Sequence, residues 1–210
     1  MIQPKSGVTL AGKVTLPSTY NGAPVVVVTG FTNQDKITHI YWYGDDIKVR
    51  RISSGAFQNC SSLKYFQTPD SIRLIQGSAF RADPELALLD FTSMPHLYAI
   101  EDNAFAQSFT CSETVELIQF PGTLSKLGGY ALANNEFEGG VECVQFGGPG
   151  DPTQLTTIGS RGYAAISQNS GNEIKNLRFY TGTGEITQAI QTALDGNMLL
   201  HIGDIEVLNA

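Results

Sequence analysis

At 210 residues and 22.6 kDa the chain holds one large or two small domains, and it is too long to be a disulfide-stapled mini-protein. Thirteen Lys and Arg against 20 Asp and Glu give a net charge of −7 with no basic run, which argues against nucleic acid and anionic membrane as partners. With 41% hydrophobic residues, 22 Gly, 9 Pro and only 16% charged residues, disorder and helical bundles give way to a turn-rich chain of short strands.

The opening residues Met1-Ile2-Gln3-Pro4-Lys5-Ser6-Gly7 lack the charged-then-apolar layout of a secretory leader, so either a leader has been removed or export takes another route. Within Val14–Val25 the pair Asn21-Gly22 signals a tight turn between strands. The longest apolar run, Val25-Val26-Val27-Val28, suits a strand and falls far short of the ~20 residues that cross a bilayer. Cys60, Cys111 and Cys143 are an odd set without CxxC spacing, which suits buried thiols and neither a disulfide framework nor a zinc site.

Internal repetition is the strongest signal. Ile52, Ile75 and Ile100 each precede an Ala-Phe pair (Ala56-Phe57, Ala79-Phe80, Ala104-Phe105), with the Phe five positions on. Weaker copies carry Val26 with Gly30-Phe31, Leu127 with Ala131-Leu132 and Ile158 with Gly162-Tyr163. The six anchors from Phe31 to Tyr163 lie 26, 23, 25, 27 and 31 residues apart. A strand frame follows each anchor: an aliphatic residue, then an apolar residue three positions on and usually an aromatic five positions on. Ile37, Ile40 and Trp42 fit it, as do Leu86, Leu89 and Phe91, Val115, Ile118 and Phe120, Val141, Val144 and Phe146, and Ile174, Leu177 and Phe179. The second copy keeps Leu63 and Phe66 but has Thr68 in the aromatic slot, so one core wall is expected to thin there. The anchor-to-strand interval is 6 residues in the first three copies and 10, 9 and 11 afterwards, which places insertions between anchor and strand.

One such repeat cannot hide its own apolar residues, whereas stacked copies turn each aliphatic or Phe slot into a buried ladder. The expected fold is a repeat solenoid of about six or seven rungs, with parallel strands ~4.8 Å apart. Side chains alternate along a strand, so positions three, five and seven of the frame face outward. Position three reads His39, Tyr65, Leu88, Leu117, Cys143 and Asn176; position five reads Tyr41, Gln67, Asp90, Gln119, Gln145 and Arg178. Tyr43 and Tyr180 stand at position seven at opposite ends. The expected surface is an apolar strip of Leu88, Leu117 and Cys143 with tyrosines near its N-terminal end.

After Phe179-Tyr180, Thr181-Gly182-Thr183-Gly184 reads as a loop before an amphipathic helix carrying Ile186, Ala189, Ile190, Ala193 and Leu194, closed by Gly196. Met198–Ile202 and Ile205–Leu208 are expected as two short strands around Gly203-Asp204 that cover the sheet edge. Gly182-x-Gly184 has no third glycine and no Lys-Ser/Thr, so it marks a helix start rather than a phosphate loop. His39, His96 and His201 lack metal-ligand spacing, no cofactor motif occurs, and neither a Gly-x-Ser-x-Gly elbow nor a catalytic cysteine signature is found. Asp45-Asp46 and Glu101-Asp102 lack the alternating oxygens of a calcium loop and read as solvated turns, while Gly147–Pro152 reads as an exposed loop. No catalytic residue and no metal ligand is nominated.

Gly55-Ala56-Phe57-Gln58-Asn59-Cys60-Ser61-Ser62-Leu63 resembles the BspA-type leucine-rich repeats, in which an Ala-Phe pair, an Asn-Cys-like turn and a Leu-rich strand recur about every 23 residues. Val14–Val25 is similar to the hairpin that opens many such arrays. The resemblance runs from about residue 8 to 180, clear in the first half and degraded in the second. It implies a single leucine-rich-repeat domain, a right-handed coil with a parallel β-sheet face. Residues 1–30 would be the hairpin cap and first entry, 31–180 the repeats and 181–210 a helix/strand cap. It further implies a non-enzymatic, cofactor-free adhesin-type module, on a bacterial cell surface or secreted, that binds a host or bacterial surface protein or glycan. The outward columns nominate Tyr41, Tyr43, Tyr65, Gln67, Leu88, Asp90, Leu117, Gln119, Gln145 and Arg178 as the contact residues, against the competing reading that the strip is covered by a loop and the Gln column is ordinary strand-face composition. The alternative is a phage tail or fibre component reading a host surface, since fold alone does not choose between them.

Overall fold

The aliphatic residue of each anchor unit sits in a two-residue strand, and the copies pair side by side. In the computed structural model, which describes residues 1–159, 174–195 and 202–210, these strands are Val27–Val28, Arg51–Ile52, Leu74–Ile75, Ala99–Ile100, Lys126–Leu127 and Thr157–Ile158. They form one uninterrupted six-stranded parallel sheet, here the narrow sheet, with Ile52, Ile75, Ile100, Leu127 and Ile158 in register. Gly162, Tyr163, Gly196, Met198 and His201, all singled out above, lie outside the described residues.

The Ala-Phe pairs stitch one coil to the next. The N–H of Phe31 donates to the carbonyl of Ala56, that of Phe57 to Ala79, Phe80 to Ala104 and Phe105 to Ala131, all at 2.7–2.8 Å. These four alanines have no exposure, so no larger side chain fits where one coil lies on another. The rings stack as a ladder: Phe31 to Phe57 at 5.1 Å between centroids, Phe57 to Phe80 and Phe80 to Phe105 at 5.2 Å. Two residues past each anchor the chain turns through the left-handed region at Asn33, Asn59, Ala82, Gln107 and Asn134, with φ of 57–61°. Asn is tolerated there because its short polar side chain bonds locally, which accounts for the Asn of the Asn-Cys turn.

The turn delivers the chain to the broad face, where the longer strands lie. Ala11–Pro17, Lys36–Tyr43 and Tyr65–Phe66 make one parallel sheet, and Val115–Phe120, Val141–Phe146, Ile174–Thr181 and Ile202–Asn209 another. Behind the second, Phe91, Phe120, Phe146 and Phe179 stack at 4.8, 5.2 and 5.2 Å. An edge-on contact of Phe91 with Phe105, 5.5 Å between centroids, joins the two aromatic ladders. One buried cluster runs from Leu16 to Leu194. The molecule is a parallel β-solenoid of leucine-rich-repeat type.

Four local expectations are corrected. Residues 86–91 form no strand: Leu86 makes a single bridge to Phe109, and the carboxylate of Asp90 accepts both the N–H and the hydroxyl of Thr92, capping the 3-10 turn Phe91–Ser93. A local bond of this kind competes with the ladder, and it breaks the broad face between its third and fourth coils. Second, Ala11–Pro17 is not one arm of an opening hairpin but a parallel rung against Lys36–Tyr43; the hairpin is only Thr19–Tyr20 with Ala23–Pro24, turned by Asn21 and Gly22 at positive φ. Third, Ile202–Asn209 is one continuous strand that adds a further rung, Leu177 opposite Ile205 and Phe179 opposite Val207, rather than part of two strands around Gly203-Asp204. Fourth, Leu132 keeps the backbone slot of the fifth anchor, but the ring stack passes from Phe105 to Phe109 and Phe137, both inside the expected insertions.

Those insertions are ordered against each other, since Thr110–Cys111 and Glu136–Phe137 form their own two-stranded parallel ladder. The C-terminal helix spans Gln188–Asp195, with the hydroxyl of Thr187 accepting the N–H of Ile190 at its start and Ile190 and Leu194 buried. Glu101 and Asp102 are not simply solvated: they accept the N–H of Gly77 (3.1 Å) and of Gly129 (2.8 Å) on neighbouring coils. In the Gly147–Pro152 loop the two leading glycines are buried and the rest exposed.

Candidate binding face

The broad face has three zones. At its N-terminal end, parallel register puts His39 opposite Tyr65, and Tyr41 lies two residues along the same strand as His39. The three rings gather at centroid distances of 5.4–6.1 Å, Tyr41 to Tyr65 being the closest. Tyr65 remains 42% exposed and Tyr43, farther along, 75%. Gln67 is not free on this surface, because its side-chain oxygen accepts the N–H of Trp42 at 3.0 Å while its backbone carbonyl accepts the indole N–H at 3.0 Å. Thr68, which stands in the aromatic slot of its coil, pairs its hydroxyl with that of Ser93.

The break at 86–91 opens the second zone. A cleft of about 340 Å³ separates Leu88 and Asp90 from Leu117 and Gln119, with Leu89, Phe91 and Ile118 as its floor. Leu88 is half-buried and Leu117 is 42% exposed, so the two leucines form facing apolar walls. Asp90 is exposed, although its carboxylate is engaged with Thr92.

The third zone is closed. Leu117 stands opposite Cys143 and Gln119 opposite Gln145, as the columns require, but Cys143 and Gln145 are buried. The apolar strip therefore ends at Leu117, a correction to the expected surface. Gln119 and Gln145 both donate to the carbonyl of Gly147, and Arg178 donates to Gln145 at 3.2 Å and to Glu206 at 2.7 Å. Glu206 belongs to the unforeseen last rung, so the neighbour of Arg178 could not be read from the repeat frame. Its hydrogen bond raises the guanidinium pKa further, and burial raises that of the Cys143 thiol. Among the described residues no group of three or more His, Cys, Asp or Glu could hold a metal ion.

The nominated residues thus fall into an open set, Tyr41, Tyr43, Tyr65, Leu88 and Leu117, and a set tied into hydrogen bonds, Gln67, Asp90, Gln119, Gln145 and Arg178. Sequence reasoning placed the inward aliphatic residues of the narrow sheet in a buried ladder but left its outward side chains unread. Aligning the two residues before each sheet isoleucine would have found its basic groove at Arg50, Arg51 and Arg73.

The family model described as "BspA type Leucine rich repeat region" matches six copies over residues 28–147. The chain belongs to this family. The BspA-type copies run along the solenoid from the strand of Val28 to Gly147. Among solved structures, a leucine rich cell surface protein from Faecalibacterium prausnitzii A2-165 shares the fold, with TM-score 0.50, 19% identity, and coverage of 84% of this chain and 48% of that one. A Treponema leucine rich repeat protein (T. pallidum TpLRR) matches at TM-score 0.44 and 19% identity over 94% of this chain and 72% of its own. No curated protein matches the chain.

Proposed function

We propose that this BspA-type chain is a non-enzymatic recognition module that binds a protein or glycan through the open two-thirds of its broad face. The observation that carries the reading is the adjacency of the tyrosine pair, half-buried Tyr41 and exposed Tyr65, to the leucine-walled cleft at Leu88 and Leu117. Amphipathic rings beside exposed apolar area are the composition of contact surfaces. A rigid solenoid supplies them without an ordering cost on binding. The family, and the printed description of the Faecalibacterium neighbour as a cell surface protein, support placing the module at a bacterial surface or outside the cell as an adhesin-type domain. Nothing favours the virion alternative.

The test is a panel of immobilised host matrix proteins and surface glycans probed with the chain and with a Tyr65→Glu, Leu117→Glu double variant. Both positions are exposed, so the variant folds with the parent's circular dichroism and melting behaviour. Binding by the parent that falls at least tenfold in the variant supports the reading. Equal binding by both, or no binding across the panel, rejects it.

A further inference from the structure

Two residues before the inward aliphatic residue of each narrow-sheet strand (Val28, Ile52, Ile75, Ile100, Leu127, Ile158) the coils read Val26, Arg50, Arg73, Tyr98, Ser125 and Thr156, and one residue before, Val27, Arg51, Leu74, Ala99, Lys126 and Thr157. Neither row contains an acidic residue, in a chain that carries 20 of them. Arg51 is the register partner of Leu74, and the N–H of Arg73 donates to the carbonyl of Arg50 at 2.9 Å, so Arg50 and Arg73 sit on adjacent coils ~4.8 Å apart along the stack. A groove of about 350 Å³ is lined by Arg50, Arg51, Arg73 and Tyr98, with Val27 and Leu74 among its apolar contacts. Arg50, Arg51 and Arg73 are exposed, and among the described residues none has a carboxylate within 4.0 Å; the ion pairs there are Lys48 with Asp46, Lys64 with Glu85, Lys175 with Glu142 and Arg178 with Glu206. Like charges on adjacent strands repel, and the described residues supply no counter-charge here.

We infer that this groove is a second binding site, separate from the broad face, for a carboxylate- or sulfate-bearing polysaccharide. Guanidinium forks pair with carboxylate and sulfate oxygens in two-point geometry, and the exposed ring of Tyr98 offers an apolar surface to a sugar's C–H face. An acidic peptide adding as a strand would need a free sheet edge, but on the arginine side that edge is bridged by Ile2 to Val28. Single-stranded nucleic acid would want a series of stacking rings, and Tyr98 is the one aromatic residue lining the groove. A bilayer would meet a recess rather than an inserting surface.

Calorimetric titration of the 210-residue chain with heparin, at low salt and at about 0.15 M, tests the site. Heparin binds, unsulfated dextran does not, and affinity falls with salt. Arg50→Gln and Arg73→Gln each weaken heparin binding by about tenfold, the loss expected for one charge-assisted contact. Arg81→Gln, an exposed charge outside the groove, changes nothing, and circular dichroism shows all three variants folded. Absence of heparin binding at low salt overturns the proposal, as do groove variants that bind like the parent. Polyglutamate, a DNA oligonucleotide or phosphatidylserine vesicles binding as tightly as heparin would also overturn it, by showing an unselective basic patch. Because the two sites lie on different sheets, the Tyr65→Glu, Leu117→Glu variant separates failure of one from failure of the other.

Discussion

Asp83 accepts the backbone N–H of Cys60 through Oδ1 at 2.7 Å, while its Oδ2 has no partner and the residue has no exposure. The position is three residues past the Phe80 anchor, and its equivalents do the same work with neutral groups. Asn135 accepts the N–H groups of Ser108 and Phe109, and the hydroxyl of Ser108 and the thiol of Cys60 donate to the carbonyls of Phe80 and Phe31. A buried polar column thus satisfies backbone groups of the described anchor turns, and Asp83 is its one ionisable carboxyl there. Burial pushes Asp83 up to about 8, and burial followed by the nearby Asp83 charge pushes the Cys60 thiol up to about 12.

The sign of the pH dependence follows. Between the ordinary value of 3.8 and about 8, folded Asp83 keeps a proton that the unfolded chain has released. Its contribution is therefore most favourable below about pH 4, is lost as pH rises to about 8, and is constant beyond. Asp83→Asn keeps the acceptor for Cys60 and removes the charge. We expect it to raise stability at pH 8 by on the order of a few kcal/mol and to flatten the fall between pH 5 and 8. Thermal melts of both proteins across that range check this, and parallel curves would refute it.

Phe80 stacks between Phe57 and Phe105, each at 5.2 Å, and meets Phe66 edge-on at 5.1 Å. Phe80→Ala empties a site bounded by three rings on adjacent coils, where neighbours cannot collapse without leaving their own register. A loss of about 3–5 kcal/mol is expected in urea unfolding. A loss below 1 kcal/mol would mean that the coils do not depend on this ladder.

Ala82 holds φ 61° at the position where three of the other four described coils use Asn. Its left-handed backbone costs roughly 1 kcal/mol that Asn or Gly avoids. Ala82→Asn should therefore stabilise the protein by up to about 1 kcal/mol, with the N–H bond to the carbonyl of Ala106 retained. Chemical denaturation is sensitive enough to see it, and a destabilised variant would contradict the assignment of strain.

At Gly128 an added Cβ would lie 2.4 Å from the carbonyl carbon of Glu101 and 2.5 Å from the nitrogen of Asp102, both backbone atoms of the neighbouring coil. Gly128→Ala should cost about 3 kcal/mol or more because two coils must separate. Gly182→Ala, where nothing lies within 4 Å and φ is unexceptional, should be nearly silent. Equal melting temperatures for the two variants would rule out close coil contact at Gly128.

The repeat period, the inward residues and the family were all legible in the amino-acid order, because burial of a slot in every coil leaves a local and periodic trace such as Ile-x-x-x-Ala-Phe. Tyr41 and Tyr65 could be placed on one face for the same reason: alternation along a strand depends only on neighbours in the chain. What folding alone decided is which coil lies beside which, and how the surface closes. Asp90 prefers Thr92 to the ladder and opens a cleft. Ile202–Asn209 becomes the rung that supplies Glu206 to Arg178. Phe109 and Phe137 leave the insertions for the aromatic stack, and Arg50 meets Arg73 across 23 residues of chain. Each of these is a contact between coils, set by competition among hydrogen bonds and by insertion length, and a periodic pattern does not encode either.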